Sequence, residues 1–251
     1  MLELLPELSP WLWALLGVGA VFVGLSKTAI PGVNTLAVAI FAAVLPARAS
    51  TGALLILLLL GDIFALAIYR RHADWPTLIR LAPAIGAGMV IGSVFLAFAD
   101  DTGVRRSIGI ILLMLMAFTL WQRYRATKAP STPLGQTLSR AGYGSLGGFT
   151  TMVANAGSGP LSMYFIAARF NVQAFLGTVA WLFAMMNLSK VPVSLGLGIM
   201  TPETFALDLV LAPAVVFGAL FGWWLSKRIR QSVFDWAVIA ATIIGAIYLL
   251  V

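Results

Sequence analysis

The sequence predicts an all-α integral membrane protein made of two inverted repeats, each a broken or re-entrant helix pair followed by three transmembrane helices. Three observations predict it. Of 251 residues, 61% are hydrophobic and 10% charged, where a soluble domain carries about 25% charged residues. The apolar runs are long and continuous rather than alternating, which suits helices and not a transmembrane barrel. The order of run lengths also occurs twice along the chain.

A helix needs about 20 apolar residues to cross the hydrocarbon. Runs 50–69, 78–98 and 103–121 meet this in the first half, and 173–195, 203–225 and 232–251 in the second. Ahead of each triplet lie shorter runs, 11–27 with 33–45 and 141–153 with 161–170. At about 1.5 Å per residue the shortest of these reach only about 15–20 Å, well short of a ~30 Å core. Each pair therefore reads as two half-helices joined at a tip.

The repeat is also written in the residues. "LAPAIGAGMVIG" (81–92) stands over "LAPAVVFGALFG" (211–222), and "STG" (50–52) over "LGT" (176–178). Gly88 with Gly92, and Gly218 with Gly222, form small-xxx-small faces that serve internal packing or a homodimer. The first repeat is expected over 1–122 and the second over 141–251, with a basic polar loop at 123–140 between them.

Charge sets the expected orientation. Alternating the spans puts Arg70, Arg71, Arg80, Arg123, Arg125, Lys128, Arg140, Arg169, Lys227, Arg228 and Arg230 on one side. Arg48, Arg105 and Arg106 fall on the other, beside Glu3, Glu7, Asp100 and Asp101. The positive-inside rule makes the first side cytoplasmic. A multi-pass protein of the inner cell membrane follows, with both termini extracytoplasmic. Three full spans plus a hairpin is an odd number of crossings, so the halves are inverted. Inverted repeats with broken helices and a midplane site are a recurrent design of secondary transporters.

Composition excludes other functions. With no cysteine and one histidine, His72, thiol chemistry and multi-histidine metal sites are out of reach. The net charge of +7 is spent on orientation rather than on nucleic acid. No cofactor fingerprint and no catalytic constellation is present, so an enzyme is not expected.

The tips carry the candidate chemistry. "GLSKTAIPGVN" (24–34) and "ANAGSGP" (154–160) put irregular backbone at membrane depth, which is tolerated only inside protein or along a watery cavity. Lys27 is the sharpest feature, since a charge at that depth costs about 2.5–3.5 kcal/mol. It reads as an anion contact, aided by the N-terminal ends of the half-helices that follow the tips; the competing reading is a snorkelling lysine. Thr28, Asn34, Asn155, Ser158 and Ser162 offer neutral hydrogen bonds to the same ligand, with Asn34 and Ser158 also at N-cap positions. Asp62, deep in its span, carries a coupling proton or pairs with Lys27. Asn187 and Lys190 lie in the corresponding helix of the second half, and Lys190 is near enough to the outer face to snorkel.

These stretches resemble the sulfite exporter TauE/SafE family of membrane transporters. The likeness rests on "GLSKTAIPG", on the block from "LPARASTG" through "YRRHADW" to "LAPAIGAGMVIG", and on "GSGP", "FLGT" and "MMNLSKVPVSLGLGIM". It covers nearly the whole chain outside the central loop. The resemblance implies transport of a small anion such as sulfite, a sulfonate or a related organosulfur compound, with Lys27, Asn187 and Lys190 carried over as site positions and Asp62 behind them. A passive anion channel and a transporter of a non-sulfur carboxylate are the competing readings.

Overall fold

The computed structural model describes residues 5–29, 31–124, 132–167, 170, 172–225, 243–244 and 246–250. Among them are nine α-helices and no strand: α1 (Pro10–Thr28), α2 (Asn34–Val44), α3 (Ala47–Tyr69), α4 (Trp75–Phe98), α5 (Asp101–Tyr124), α6 (Pro133–Ala154), α7 (Ser158–Ala167), α8 (Val172–Gly196) and α9 (Pro202–Leu225). A 3₁₀ turn, Pro31–Val33, leads into α2, and a second, Arg70–His72, follows α3. Six of the helices (α1, α3, α4, α5, α8 and α9) are long and apolar enough to span a bilayer. The chain is a multi-pass membrane protein.

The expectation that both members of each tip pair are short holds only for the second member. Helix α1 has 19 residues and α6 has 22, whereas α2 has 11 and α7 has 10. Helix α6 outruns its apolar segment because its first turns are built from polar contacts. Thr132 caps it, its hydroxyl accepting from Gly135 N–H at 3.1 Å, and Pro133 occupies the first turn, where a missing N–H costs nothing. The segment 123–140 is accordingly not all loop: α5 runs on to Tyr124 and α6 starts at Pro133. Most of the last expected span, 232–251, and Arg125, Lys128, Arg169, Lys227, Arg228 and Arg230 lie outside the described residues. The described part of that span packs on α5, where Gly109 meets Ala246 and Leu250.

Two helix pairs are stitched by glycine. A Cβ on Gly24 would stand 2.1 Å from the Val215 carbonyl oxygen, and one on Gly218 would stand 2.1 Å from that of Val21. On the other side of the molecule, a Cβ on Gly148 would lie 2.1 Å from Ile85 O, and one on Gly88 2.1 Å from Ser145 O. So α1 lies against α9, and α6 against α4, with backbones in direct contact. The contacts correspond one for one. A shift of 124 residues carries Val21, Gly24 and Thr28 onto Ser145, Gly148 and Met152. A shift of 130 carries Ile85, Gly88 and Gly92 onto Val215, Gly218 and Gly222. Each tip helix is thus held by a helix of the other half.

Helices α3 and α8 cross at the centre. Gly52, near the start of α3, abuts Ile199 just past the end of α8, and Gly177, near the start of α8, abuts Tyr69 and His72 at the end of α3. The two therefore run antiparallel. Asp74 fixes the lower corner: its N–H donates to Thr178 Oγ1 at 2.9 Å, and its carboxylate caps α4 by accepting from Thr77 N–H at 2.9 Å. Arg48 fixes the upper one, donating to the carbonyls of Leu96 and Ala99 at 2.6 and 2.7 Å. These are the last free carbonyls of α4, which a guanidinium satisfies well.

Candidate functional site

The two tips meet beside the α3–α8 crossing. Helix α6 ends at Asn155, which adopts a left-handed conformation with φ +51°, one that asparagine tolerates better than most residues. The turn leaves the Asn155 carbonyl facing the first tip and its side chain facing α3 and α8. Asn34 Nδ2 donates to that carbonyl at 2.6 Å. Asn155 Nδ2 in turn donates to Thr51 O on α3 at 3.0 Å. Asn34 therefore does not cap its helix; its amide joins the two tips.

The charged residues converge on the same spot. Lys27 Nζ lies 2.5 Å from Asp62 Oδ1. The lysine stem reaches past α3 because Gly61 has no side chain; a Cβ there would stand 2.8 Å from Lys27 Cγ. The Phe183 ring covers the ammonium at 5.3 Å, a favourable placement for a cation over an aromatic face. Asn187 Nδ2 donates to the other carboxylate oxygen of Asp62 at 2.6 Å. Asp62 and Asn187 stand 125 residues apart, the offset that also relates Gly52 to Gly177, so equivalent positions of the two halves touch each other.

Lys190 is fully buried and its ammonium donates to Asn155 Oδ1. It does not snorkel. Among the described residues, Lys27–Asp62 is the only salt bridge, so Lys190 has no carboxylate of its own. With both lysines charged, Lys27, Lys190 and Asp62 carry one net positive charge. A buried charge left without compensation is costly, and an anion would relieve it.

A cavity opens here. Its wall includes Lys27, Asn34, Asp62, Asn155, Ser158 and Asn187, six of the nine expected positions. It encloses about 600 Å³ of non-atom space, the open solvent at its mouth included. Ser158 Oγ and Asn34 Oδ1 are buried there with no hydrogen-bond partner among the described residues. Three expected positions are not on the wall. Lys190 acts on it through Asn155. Thr28 turns away, its hydroxyl donating to Ala219 O at 2.8 Å and its carbonyl accepting from Tyr69 OH at 3.0 Å; it clamps the first tip to α9 and α3. Ser162 is half-buried, one turn into α7.

The wall also holds residues that composition-led reasoning passed over. Ser26 and Thr151 flank the tips, and Leu176, Val179, Ala180 and Phe183 line one side. The last four precede Asn187 at helical spacing on α8, a signal present in the sequence but hard to separate from an ordinary core stripe. His72 is exposed in the turn after α3, as expected of a loop histidine. Trp181 lies at the α3 end, its indole N–H donating to Arg70 O at 3.2 Å.

A helical, multi-pass fold with irregular tips meeting at a buried, charged cavity defines a membrane transporter. The family model for the sulfite exporter TauE/SafE matches residues 16–249. The chain belongs to that family of transporters. No curated protein and no solved structure matches it significantly.

Proposed function

We propose that the protein is a secondary transporter that exports a small anion (sulfite, a sulfonate or a related organosulfur compound) by alternating access. The observation that carries this is the charge count at the tips: a half-buried lysine on the cavity wall and a fully buried one behind it are set against one carboxylate. A monovalent anion completes the balance. Ser158 and the N-terminal end of α7 are the groups free to receive it, with the charge of Lys190 acting from behind Asn155. Asp62 is the group for a coupling proton, because protonating it would release Lys27 from its ion pair and expose a second cation to the substrate.

The reciprocal glycine contacts and the antiparallel α3–α8 crossing support two inverted repeats related by an axis between Asp62 and Asn187. Such an arrangement gives two nearly equivalent packings of the same elements, which alternating access requires. The positive-inside rule puts the Arg70–His72 turn in the cytoplasm of an inner-membrane protein, and the termini outside. The cavity wall follows α8 toward that turn, in keeping with loading from the cytoplasm and export.

Thermal stability of the purified protein with a panel of anions tests this, since a ligand of the folded state raises the melting temperature. The panel is sulfite, sulfate, thiosulfate, taurine, acetate and chloride. A rise with a sulfur oxyanion that is lost in Lys27→Ala supports the reading. No rise with any sulfur anion, or an equal rise in the variant, refutes it. In proteoliposomes, flux of that anion should respond to an imposed proton gradient, whereas a passive channel would follow the anion gradient alone.

A further inference from the structure

Among the described residues two acidic side chains are buried, Asp62 and Asp208. Asp62 is bonded through both oxygens, to Lys27 and to Asn187. Asp208 is 2% exposed, and neither of its carboxylate oxygens has a partner among the described residues. It stands within the first two turns of α9, at the end that the charge distribution places outside. A short acidic side chain so near a headgroup layer has water within reach. This one is turned into the protein instead.

No charge among the described residues offsets it. Helix α9 packs on α1 and α3. The one charged residue of α1 is Lys27, whose neighbour Thr28 stands against Gly222, about 21 Å along α9 from Asp208. On α3, Asp62 is paired with Lys27, and Arg48 is spent on the carbonyls of Leu96 and Ala99. Glu203 on α9 and Glu7 ahead of α1 are exposed. A metal cation is poorly served too, since it needs several oxygens. Thr204, one turn back, gives its hydroxyl to Thr201 O at 2.8 Å.

Packing does not ask for an acid here. The shift of 130 that carries Gly88 onto Gly218 carries Leu78 onto Asp208. Leu78 belongs to a buried apolar cluster with Leu81, Phe165 and Leu182. A carboxyl group in such surroundings is buried at lower cost with its proton on than off. The end at which Asp208 lies is also the closed one. The cavity reaches Leu176 near the start of α8, whereas Leu54 and Leu57 near the start of α3 are buried.

We propose that Asp208 is a proton-binding site that governs the outer end of the transport path. The apolar layer closes over the neutral acid, and ionisation of Asp208 favours the packing in which that end is open to water. A proton that is held better in one packing shifts the population toward it. Acid outside would therefore close the outer end and return the carrier after the anion has left. This rests on the alternating-access reading above and adds a second proton site to Asp62.

The chain has no cysteine, so one introduced thiol reports on the outer end. Leu54 is buried there, and the 125-residue offset sets it over Val179 on the cavity wall. Leu54→Cys is labelled in right-side-out vesicles with a membrane-impermeant maleimide across external pH, with Asp208 and with Asp208→Asn. The ratio of the two rates cancels the thiol's own titration. It should rise with external pH, by up to about tenfold per pH unit, the limit for one proton. A ratio flat across pH overturns the inference and leaves the transporter reading standing. A ratio that follows sodium at fixed pH makes the ligand a metal cation and overturns the proton assignment. Labelling in neither background at any pH overturns alternating access through this end, and the inference with it. Purified wild type at neutral pH should also show the infrared band of a neutral carboxylic acid that Asp208→Asn lacks. Asp208→Leu, which repeats the matched place of the other half, should raise the melting temperature. No lost band, or a fall in melting temperature in both variants, would make the carboxyl structural and overturn the inference.

Discussion

The two halves of the site join tip to crossing helix by different chemistry. In the first half Lys27 on the tip meets Asp62 on the crossing helix, 35 residues on. In the second, Asn155 on the tip meets Lys190 on the crossing helix, also 35 residues on. One contact is an ion pair. The other sets a charge against a neutral amide. Were both ion pairs, the cluster would be neutral and offer an anion no excess charge; were both amide contacts, it would carry two charges without a counter-ion and fold poorly. The difference teaches how similar helix pairs can be biased: reciprocal packing frames the cavity, and contacts at unmatched positions set a second cation beside it.

The comparison breaks most completely at Asp62. Asp62→Ala leaves two buried ammonium groups with no carboxylate and frees Asn187 from its acceptor. Losing one partner of a buried pair typically costs about 3–5 kcal/mol, so a large fall in the detergent melting temperature is expected, with loss of transport. A variant that melts with wild type would mean that the Lys27–Asp62 pair contributes little and that the halves are less different than their contacts indicate.

Lys190→Met removes the unpaired cation at similar volume. Replacing a buried charge by an apolar side chain is often neutral or stabilising, so the melting temperature should hold or rise. Anion affinity should fall by about tenfold, because the cavity loses a positive charge that reaches it through Asn155. Stability and binding thus move apart in the second half, whereas in Asp62→Ala they fall together. Loss of both in Lys190→Met would make Lys190 a structural residue rather than the source of the net charge.

Much of this plan was readable in the sequence because membrane insertion demands it. Span positions, the approximate repeat offset and the membrane depth of Lys27, Asp62 and Asn187 all follow from where apolar runs stop and where charge intrudes. What stayed hidden was direction and partner. Thr28 and Asn34 are both small polar residues at the first tip, yet one turns outward to Ala219 and the other inward to Asn155. Local sequence does not set that choice; the helix packed behind each does. The length of α6 was hidden for a different reason, since capping and i,i+4 bonds, not hydrophobicity, build its first turns. Asp208, buried on α9 with both carboxylate oxygens unpartnered among the described residues, drew no notice, because a lone acidic residue at the edge of a span reads as an interfacial one.

Glycines outside the site sharpen the symmetric side of the comparison. Gly24→Ala and Gly148→Ala each drive a methyl group to 2.1 Å from a carbonyl oxygen of the facing helix. Overpacking of this kind costs about 1–3 kcal/mol. Because the two positions are equivalent, the two losses should agree within error in thermal or denaturant unfolding. Unequal losses would show that one of the stitched pairs is looser than the other.

The smallest effects come from the same two helices with the sign reversed. Gly17 on α1 and Gly142 on α6 have no atom within 4 Å of where a Cβ would go. Alanine at either keeps the helical backbone and removes the entropy that glycine loses on folding, a gain of about 0.5–1 kcal/mol. Gly17→Ala and Gly142→Ala should therefore raise the melting temperature slightly and leave anion affinity untouched. Set beside Gly24→Ala and Gly148→Ala, they separate the intrinsic cost of glycine in these helices from its use at the contact. If all four substitutions stabilised, the backbone contacts of α1 with α9 and of α6 with α4 would not be what holds each tip to the opposite half.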